Sequence, residues 1–239
     1  MNRDLNVKFE KFKKSTDREK LTIILDLSNY SEREEVKNFL LNIAKNDFYD
    51  KIRIQAILAL NKNKSEEIVD KLAELYPFEN EHSVRLAIIE AMSTYNSSKV
   101  EEILELAVEK DEVDVLRSIA LKHLHERKKY DKNKIISLLY SVLTNDSALF
   151  TRQMALSILP FYADEETIGK LSMIYEMERS TKMKFFIYSK LEEISNQFNK
   201  KLALVPPRKP KKEDKGNNKR RKRRIRIKKE KKEKEHLFY

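Results

Sequence analysis

Acidic and basic residues recur together at fixed spacing, and a carboxylate beside a guanidinium serves in both catalytic and structural sites. Bases stand 32, 32, 35 and 32 residues apart, each preceded at six residues by an acid. The acids are Asp47, Glu79, Asp111, Asp146 and Glu178, and the bases are Arg53, Arg85, Arg117, Arg152 and Lys184. A catalytic site needs one special arrangement, so five equivalent pairs predict a structural ladder. Each charge-assisted pairing is worth roughly 1.5–3 kcal/mol when partly buried.

Histidine is the other residue type that could do chemistry. The chain has His82, His123, His125 and His236, and only His125 is followed by a glutamate. One His-Glu dyad does not supply the three or four ligands of a zinc site, so we expect a surface pair. The chain lacks cysteine and shows no Gly-rich phosphate loop or Ser-His-Asp spacing. These observations predict no catalytic residue, no metal, no cofactor and no small-molecule substrate.

The C-terminal part of the sequence carries the net charge of +11. Residues 201–239 contain 18 Lys and Arg against 5 Asp and Glu, whereas residues 1–200 contain 32 against 34. The densest run comprises Lys219, Arg220, Arg221, Lys222, Arg223, Arg224, Arg226, Lys228 and Lys229. Such density is typical of phosphate binders and resembles arginine-rich segments that fold on RNA. The run therefore predicts a nucleic-acid tether.

Other interpretations of this basic run remain open at the level of sequence. It suits a solubilising tail, a segment that contacts an acidic protein or membrane surface, or a nuclear localisation signal in a eukaryotic source. The interleaved Ile225 and Ile227 provide no aromatic stacking, so sequence-specific base recognition is not predicted. No apolar run predicts a signal peptide or membrane span, so we expect a cytoplasmic location, or a nuclear one in eukaryotes.

The elements that position the ladder are predicted to be paired helices, because the sequence repeats itself at a period typical of solenoids. The first helix of each unit (A) has apolar residues at i, i+4 and i+7, as in Val36, Leu40 and Ile43, and the second (B) carries the ladder base. Only 2 Gly and 5 Pro favour helices over a turn-rich β fold. We predict an all-α, right-handed α-solenoid of about six antiparallel helix pairs.

Three regions are expected along the chain. Residues 1–29 form a degenerate N-terminal capping repeat without a ladder pair, 30–197 form the repeats, and 198–239 form a linker and disordered polybasic tail. Helix starts are predicted from capping residues: Ser31 with Glu34, Ser98 with Glu101, Asp131 and Asp164.

Residues 31–195 resemble HEAT repeats, especially the short HEAT-like class of the phycobilisome-lyase type. In that family an Asp in the A–B turn and an Arg on helix B form hydrogen-bonded ladders between repeats. The acid and base columns match those positions, with Glu and Lys as conservative departures, whereas the family's usual proline in helix A is absent. The resemblance implies an α-solenoid and a scaffold function.

Two enzyme types built from HEAT-like repeats provide alternatives. A metal-dependent hydroxylase of this kind uses several His-Glu dyads, and this chain has one. Alkylpurine DNA glycosylases bind DNA in a basic groove with Trp residues and an Asp, and this chain has no Trp. The glycosylase type is the alternative to a scaffold.

One column lies two residues after each ladder base and becomes more apolar toward the C-terminus. Its members are Gln55, Ala87, Ile119, Met154 and Phe186. On a concave face they would form a groove for a partner helix, and otherwise they complete the packing between B helices. The leading prediction is a non-enzymatic scaffold that binds a protein on the solenoid and RNA or DNA through its tail.

Overall fold

The computed structural model describes residues 3–62 and 65–207, which form twelve α-helices and no β-strand. In chain order these are α1 (Arg3–Lys14), α2 (Asp17–Leu27), α3 (Glu34–Asn46), α4 (Asp50–Leu60), α5 (Glu66–Leu75), α6 (His82–Ser93), α7 (Ser98–Lys110), α8 (Asp114–Glu126), α9 (Lys132–Asn145), α10 (Leu149–Ile158), α11 (Glu165–Met177) and α12 (Thr181–Gln197). The predicted all-α class and the six helix pairs are confirmed. The handedness and the three region boundaries stay predictions.

The chain divides into two compact units, residues 1–164 and residues 165–239. The first unit holds α1 to α10 and the second holds α11 and α12. Within the first unit each odd-numbered A helix packs against the even-numbered B helix that follows it, and consecutive B helices also pack together. This arrangement places the ladder bases of the first unit, which lie on its B helices, side by side along the stack.

The core of the first unit consists of the apolar columns that the periodicity predicts. On the A helices Val36, Leu40 and their equivalents are buried, and on the B helices Ala56, Ile57 and Leu60 have no exposed surface. Each buried Leu or Ile side chain contributes roughly 1.5–3 kcal/mol through the hydrophobic effect. Because one helix pair is too thin to enclose these side chains, they are buried only by adjacent pairs.

Helix ends show where local sequence signals act. Pro77 and Pro160 lie in short 3-10 turns directly after α5 and α10, since proline cannot continue a helix. Asp131 caps α9 as predicted, because its side chain accepts the amide proton of Lys134. Two predicted caps are wrong. The cap of α7 is Ser97 and not Ser98, and the residue before α3 is Arg33 and not Ser31. Ser97 competes successfully because its hydroxyl accepts the Lys99 amide proton.

In the second unit the chain continues past α12 and folds back. Asn199 has a φ of 52°, the left-handed conformation that often ends helices. The Lys200 amide then donates to the Ser195 carbonyl, and the Tyr175 hydroxyl donates to the Val205 carbonyl at 2.8 Å. The segment after α12 is thus attached to α11. Across both units, no helix of the described chain combines the length and apolar character needed to cross a membrane.

Candidate functional site

The ladder of charged residues links consecutive repeats of the first unit through each arginine. The Arg85 guanidinium donates from Nε and Nη2 to the two carboxylate oxygens of Asp111 at 2.9 and 3.1 Å. Its Nη1 donates to the backbone carbonyls of Glu79 and Asn80, in the turn before its own helix, at 3.1 and 2.9 Å. One side chain therefore closes its own A–B turn and holds the acid of the following repeat.

The same geometry recurs on both sides of Arg85. Arg53 binds the Glu79 carboxylate at 3.1 and 2.9 Å and the carbonyls of Asp47 and Phe48. Arg117 binds the Asp146 carboxylate at 2.7 and 2.8 Å and the carbonyls of Asp111 and Glu112. Three consecutive arginines thus make equivalent two-sided contacts, which is the property of a structural ladder.

Each ladder acid also caps its own turn, accepting the backbone N–H two residues further on. These donor–acceptor distances are 3.1 Å for Asp47, 2.8 Å for Glu79, 2.9 Å for Asp111, 2.8 Å for Asp146 and 2.7 Å for Glu178. A side-chain acceptor of this kind replaces a backbone turn hydrogen bond. Asp111 receives one more bond, from the buried Tyr76 hydroxyl at 2.7 Å, which the sequence had not indicated.

Ionisation within the ladder follows from these contacts. Burial by itself would raise the pKa of Asp111, but hydrogen bonds from Arg85, Tyr76 and the Val113 amide outweigh it and lower the pKa below its ordinary value. The pKa of Asp146 is lowered in the same way by Arg117 and the Ala148 amide. The Arg85 pKa is raised, first by its hydrogen bond to Asp111. These contacts hold Asp111, Asp146 and Arg85 in their charged forms.

The first repeat has no acid–base pair of its own, but it supplies a base to the ladder. The Lys20 ammonium on α2 donates to Asp47 at 3.1 Å, and both side chains are largely buried. Lys20 stands 33 residues before Arg53, so it fills the base column. A terminal repeat needs a base for the next repeat but no acid, because no earlier repeat supplies a base to it.

The last two ladder bases also contact groups of their own unit. Arg152 on α10 donates from Nε to the Leu143 carbonyl at 2.8 Å. Lys184 on α12 contacts the Glu176 carbonyl at 3.4 Å and lies 5.1 Å from the centre of the Tyr175 ring. Neighbouring groups of their own unit therefore bind these two bases.

The two histidines of α8, His123 and His125, contact different neighbours. His125 contacts the Tyr162 hydroxyl through Nδ1 at 2.9 Å, so it does not pair with the adjacent Glu126. Glu126 instead lies 3.4 Å from Nδ1 of His123, whose Nε2 is 3.4 Å from Glu90. No group of three side chains able to hold a metal ion occurs within the described ranges.

The predicted groove column is only partly accessible. In the first unit Gln55, Ile119 and Met154 are half-buried and Ala87 is buried. This column therefore contributes to the packing of the B helices as well as to their exposed surface. Phe186 is exposed on α12 in the second unit, where its ring contacts Phe185. The basic run from Lys219 to Lys229 lies outside the described residues.

More strongly exposed apolar residues lie one helical turn to either side of this column. They are Leu25 and Leu58, five residues after a ladder base, and Val115 and Phe150, two residues before one. They were not predicted because no single column of the repeat contains all four residues. The sequence did contain a signal for them. They stand four residues before or three residues after a position of the groove column, and this spacing places them on the same face of each B helix.

Comparison with known families agrees with this geometry. The family model of HEAT repeats matches residues 38–125, which span α3 to α8 and the three equivalent arginines. No curated protein matches the chain. Residues 38–125 thus match the HEAT-repeat family, and the repeated helix pairs, the turn acids and the arginines that join successive turns are similar to this family's pattern.

Proposed function

We propose that the protein is a non-enzymatic adaptor whose first unit binds a protein partner and whose basic run binds RNA or DNA. HEAT repeats generally serve as interaction scaffolds, which supports the first part. The acid–base ladder has a complete structural role, so its regular charges need no catalytic explanation. Support for the second part is the charge distribution, because the net positive charge is concentrated in residues 201–239.

The observation that carries the protein-binding part is the surface of the B helices. Val115 and Phe150 expose nearly half of their side-chain surface there. The Thr151 hydroxyl donates to the Asp114 carbonyl at 3.3 Å, so these two apolar residues lie on adjoining turns of α8 and α10. Neighbouring exposed apolar side chains on a folded surface are typical of a protein contact.

Filter binding to single-stranded RNA and duplex DNA tests the tail. The variant replaces the nine bases from Lys219 to Lys229 with glutamine. The control replaces nine bases of residues 3–62 and 65–200 for which the structure shows no ion pair. If the run supplies most contacts, the slope of log affinity against log salt falls by up to about 6 for single strands. Equal binding by the variant and the unmodified protein contradicts the tether.

Photo-crosslinking tests the protein-binding face. A photoreactive side chain at position 119 is compared with one at position 78, an exposed position in the turn that joins α5 to α6. A specific adduct from source-cell extract at position 119 alone is expected, and equal labelling at both positions contradicts the assignment.

An assay of the same protein on alkylated DNA distinguishes the adaptor from the glycosylase alternative, because a glycosylase must release the modified base.

A further inference from the structure

We propose that a pocket between α7 and α9 binds a phenol group and that the Asp146 carboxylate accepts the hydrogen bond of the phenol hydroxyl. The pocket, called the α7–α9 pocket below, has a volume of about 410 Å³ and lies at the C-terminal ends of these two A helices. This volume is in the range of pockets that hold small molecules. Most of its lining comes from A helices, so binding there does not depend on the proposed adaptor function.

The preceding repeat shows how a phenol is held next to a ladder acid. Tyr76 stands three residues before Glu79, the acid of its own repeat, and its hydroxyl donates to Oδ2 of Asp111 at 2.7 Å. Val108 stands at the equivalent position, three residues before Asp111, and has no hydroxyl. Asp146, the acid of the following repeat, therefore lacks the phenol that Asp111 has.

The hydrogen bonds of the two acids differ by this one donor. Asp111 accepts two bonds from the arginine of the preceding repeat, one from a turn amide and one from Tyr76. Asp146 accepts two from Arg117, at 2.7 and 2.8 Å, and one from its turn amide at 2.8 Å. Among the described residues no other donor reaches Asp146. Its Oδ2 receives only the Nε proton of Arg117 and can accept a further hydrogen bond.

The space beside Asp146 is larger than the space beside Asp111. The A helices α5 and α7 pack more closely than α7 and α9. Leu106 on α7 stands five residues before Asp111, and the equivalent residue on α9 is the smaller Ser141. The corresponding pocket between α5 and α7, which Tyr76 and Leu106 line, has a volume of about 330 Å³. The α7–α9 pocket thus has more room for a ligand.

The walls of the α7–α9 pocket suit an aromatic ring. Val108, Leu138 and Val142 line it and are buried, so they offer apolar surface to the faces of a ring. A second pocket of about 440 Å³ shares Leu138 and Ser141 with the first and extends along α9 to Tyr130. This second pocket provides room for a substituent on the ring.

The charges around Asp146 favour a neutral donor over a cation. Arg117 already binds both carboxylate oxygens, and the guanidinium of Arg152 adds positive charge nearby. A further cation would be repelled by these two groups. A phenol, whose pKa is about 10, remains protonated and uncharged at neutral pH and so donates a hydrogen bond without this repulsion.

An NMR titration of the isotope-labelled full-length protein with p-cresol tests this site. Toluene is the matched control ligand, because it has the same ring and methyl group without the hydroxyl. We expect p-cresol to bind at least about tenfold more tightly, since only p-cresol donates a hydrogen bond to the charged acceptor. The amide shifts should be largest near Val108 and Asp146. Equal affinities of the two ligands, or shifts confined to other helices, would overturn the proposal.

Two variants reproduce residues of the preceding repeat and should close the α7–α9 pocket. V108Y supplies a phenol from the chain itself, as Tyr76 does, and S141L restores a leucine. Each should weaken p-cresol binding about tenfold or more, because the ligand loses its space. S141L keeps the test decisive even if V108Y does not fold, since Ser141 is exposed on its helix. The control S157L changes an exposed serine of α10 and should leave affinity unchanged. Unchanged affinity in S141L would place the phenol elsewhere and refute the site.

N-acetyltyrosinamide distinguishes two sources of the phenol. Binding as tight as that of p-cresol would identify the ligand as a tyrosine side chain of a polypeptide. Binding at least about tenfold weaker would identify it as a free phenol, because the backbone groups do not fit. Both results support the α7–α9 pocket, whereas no binding of p-cresol would overturn it. Crosslinking at position 119 tests the adaptor proposal separately.

Discussion

Arg85 connects two consecutive repeats by binding the Asp111 carboxylate with two nitrogens and its own turn with the third. The pair lies in the interior, where the Asp111 side chain is almost fully buried. A contact of this kind makes the stability of each repeat depend on its neighbour. Because the ladder repeats between successive helix pairs, the first unit is expected to unfold through a few coupled steps.

Replacing Arg85 with methionine should lower the free energy of unfolding by about 3–5 kcal/mol. The substitution keeps much of the aliphatic side chain but leaves the Asp111 carboxylate buried without its cation. Urea denaturation followed by circular dichroism measures the change, and a broadened or split transition is expected because two groups of repeats are uncoupled. The control is Arg18→Met, an exposed arginine on α2, for which about 0.5 kcal/mol or less is expected. Equal losses in the two variants would contradict the ladder's role.

The period, helix pairs and buried columns were predictable because they depend on spacing along the chain. Lys20 was missed because no acid precedes it by six residues, and a capping repeat does not need one. The exposed apolar residues Leu25, Leu58, Val115 and Phe150 were not predicted for a different reason. The exposure of Leu58 or Val115 depends on the packing angle between helices, which the sequence period does not determine. Bonds such as that of Tyr76 to Asp111 likewise require tertiary structure.

Replacing Lys20 with methionine should destabilise the first helix pair selectively. The ammonium of Lys20 partners Asp47, whose other oxygen caps the turn before α4. We expect a loss of about 1.5–3 kcal/mol in the free energy of unfolding, since a partly buried charge-assisted hydrogen bond is removed. Hydrogen exchange should be accelerated in α1 and α2 and little changed in α7 and α8. Lys51→Met, on an exposed part of α4, is the control, and similar exchange in both variants would count against the capping contact.

The stability of the first unit should fall in acid because of Asp111. A lowered folded-state pKa means that this carboxylate stabilises the fold above its unfolded pKa of about 3.9 and that the contribution is lost as pH falls through the folded value. Asp111→Asn should therefore reduce stability most at neutral pH, and the difference from the unmodified protein should narrow below about pH 4. Urea titrations from pH 2 to 7 measure the difference. A gap that stays constant across this range would contradict the assignment.

Replacing Tyr76 with phenylalanine should both lower stability and alter the acid response of Asp111. The Tyr76 hydroxyl donates to the Asp111 carboxylate at 2.7 Å inside the core, and burial followed by this bond raises the pKa of the phenol. Loss of a hydrogen bond to a charged group costs about 1.5–3 kcal/mol, and the pKa of Asp111 should rise because one donor to its charged form is removed. The acid-induced loss of stability should then begin at higher pH, which urea titration measures. Tyr49→Phe, on an exposed turn, is the control, and an unchanged acid profile in Tyr76→Phe would show that the hydroxyl does not stabilise the carboxylate.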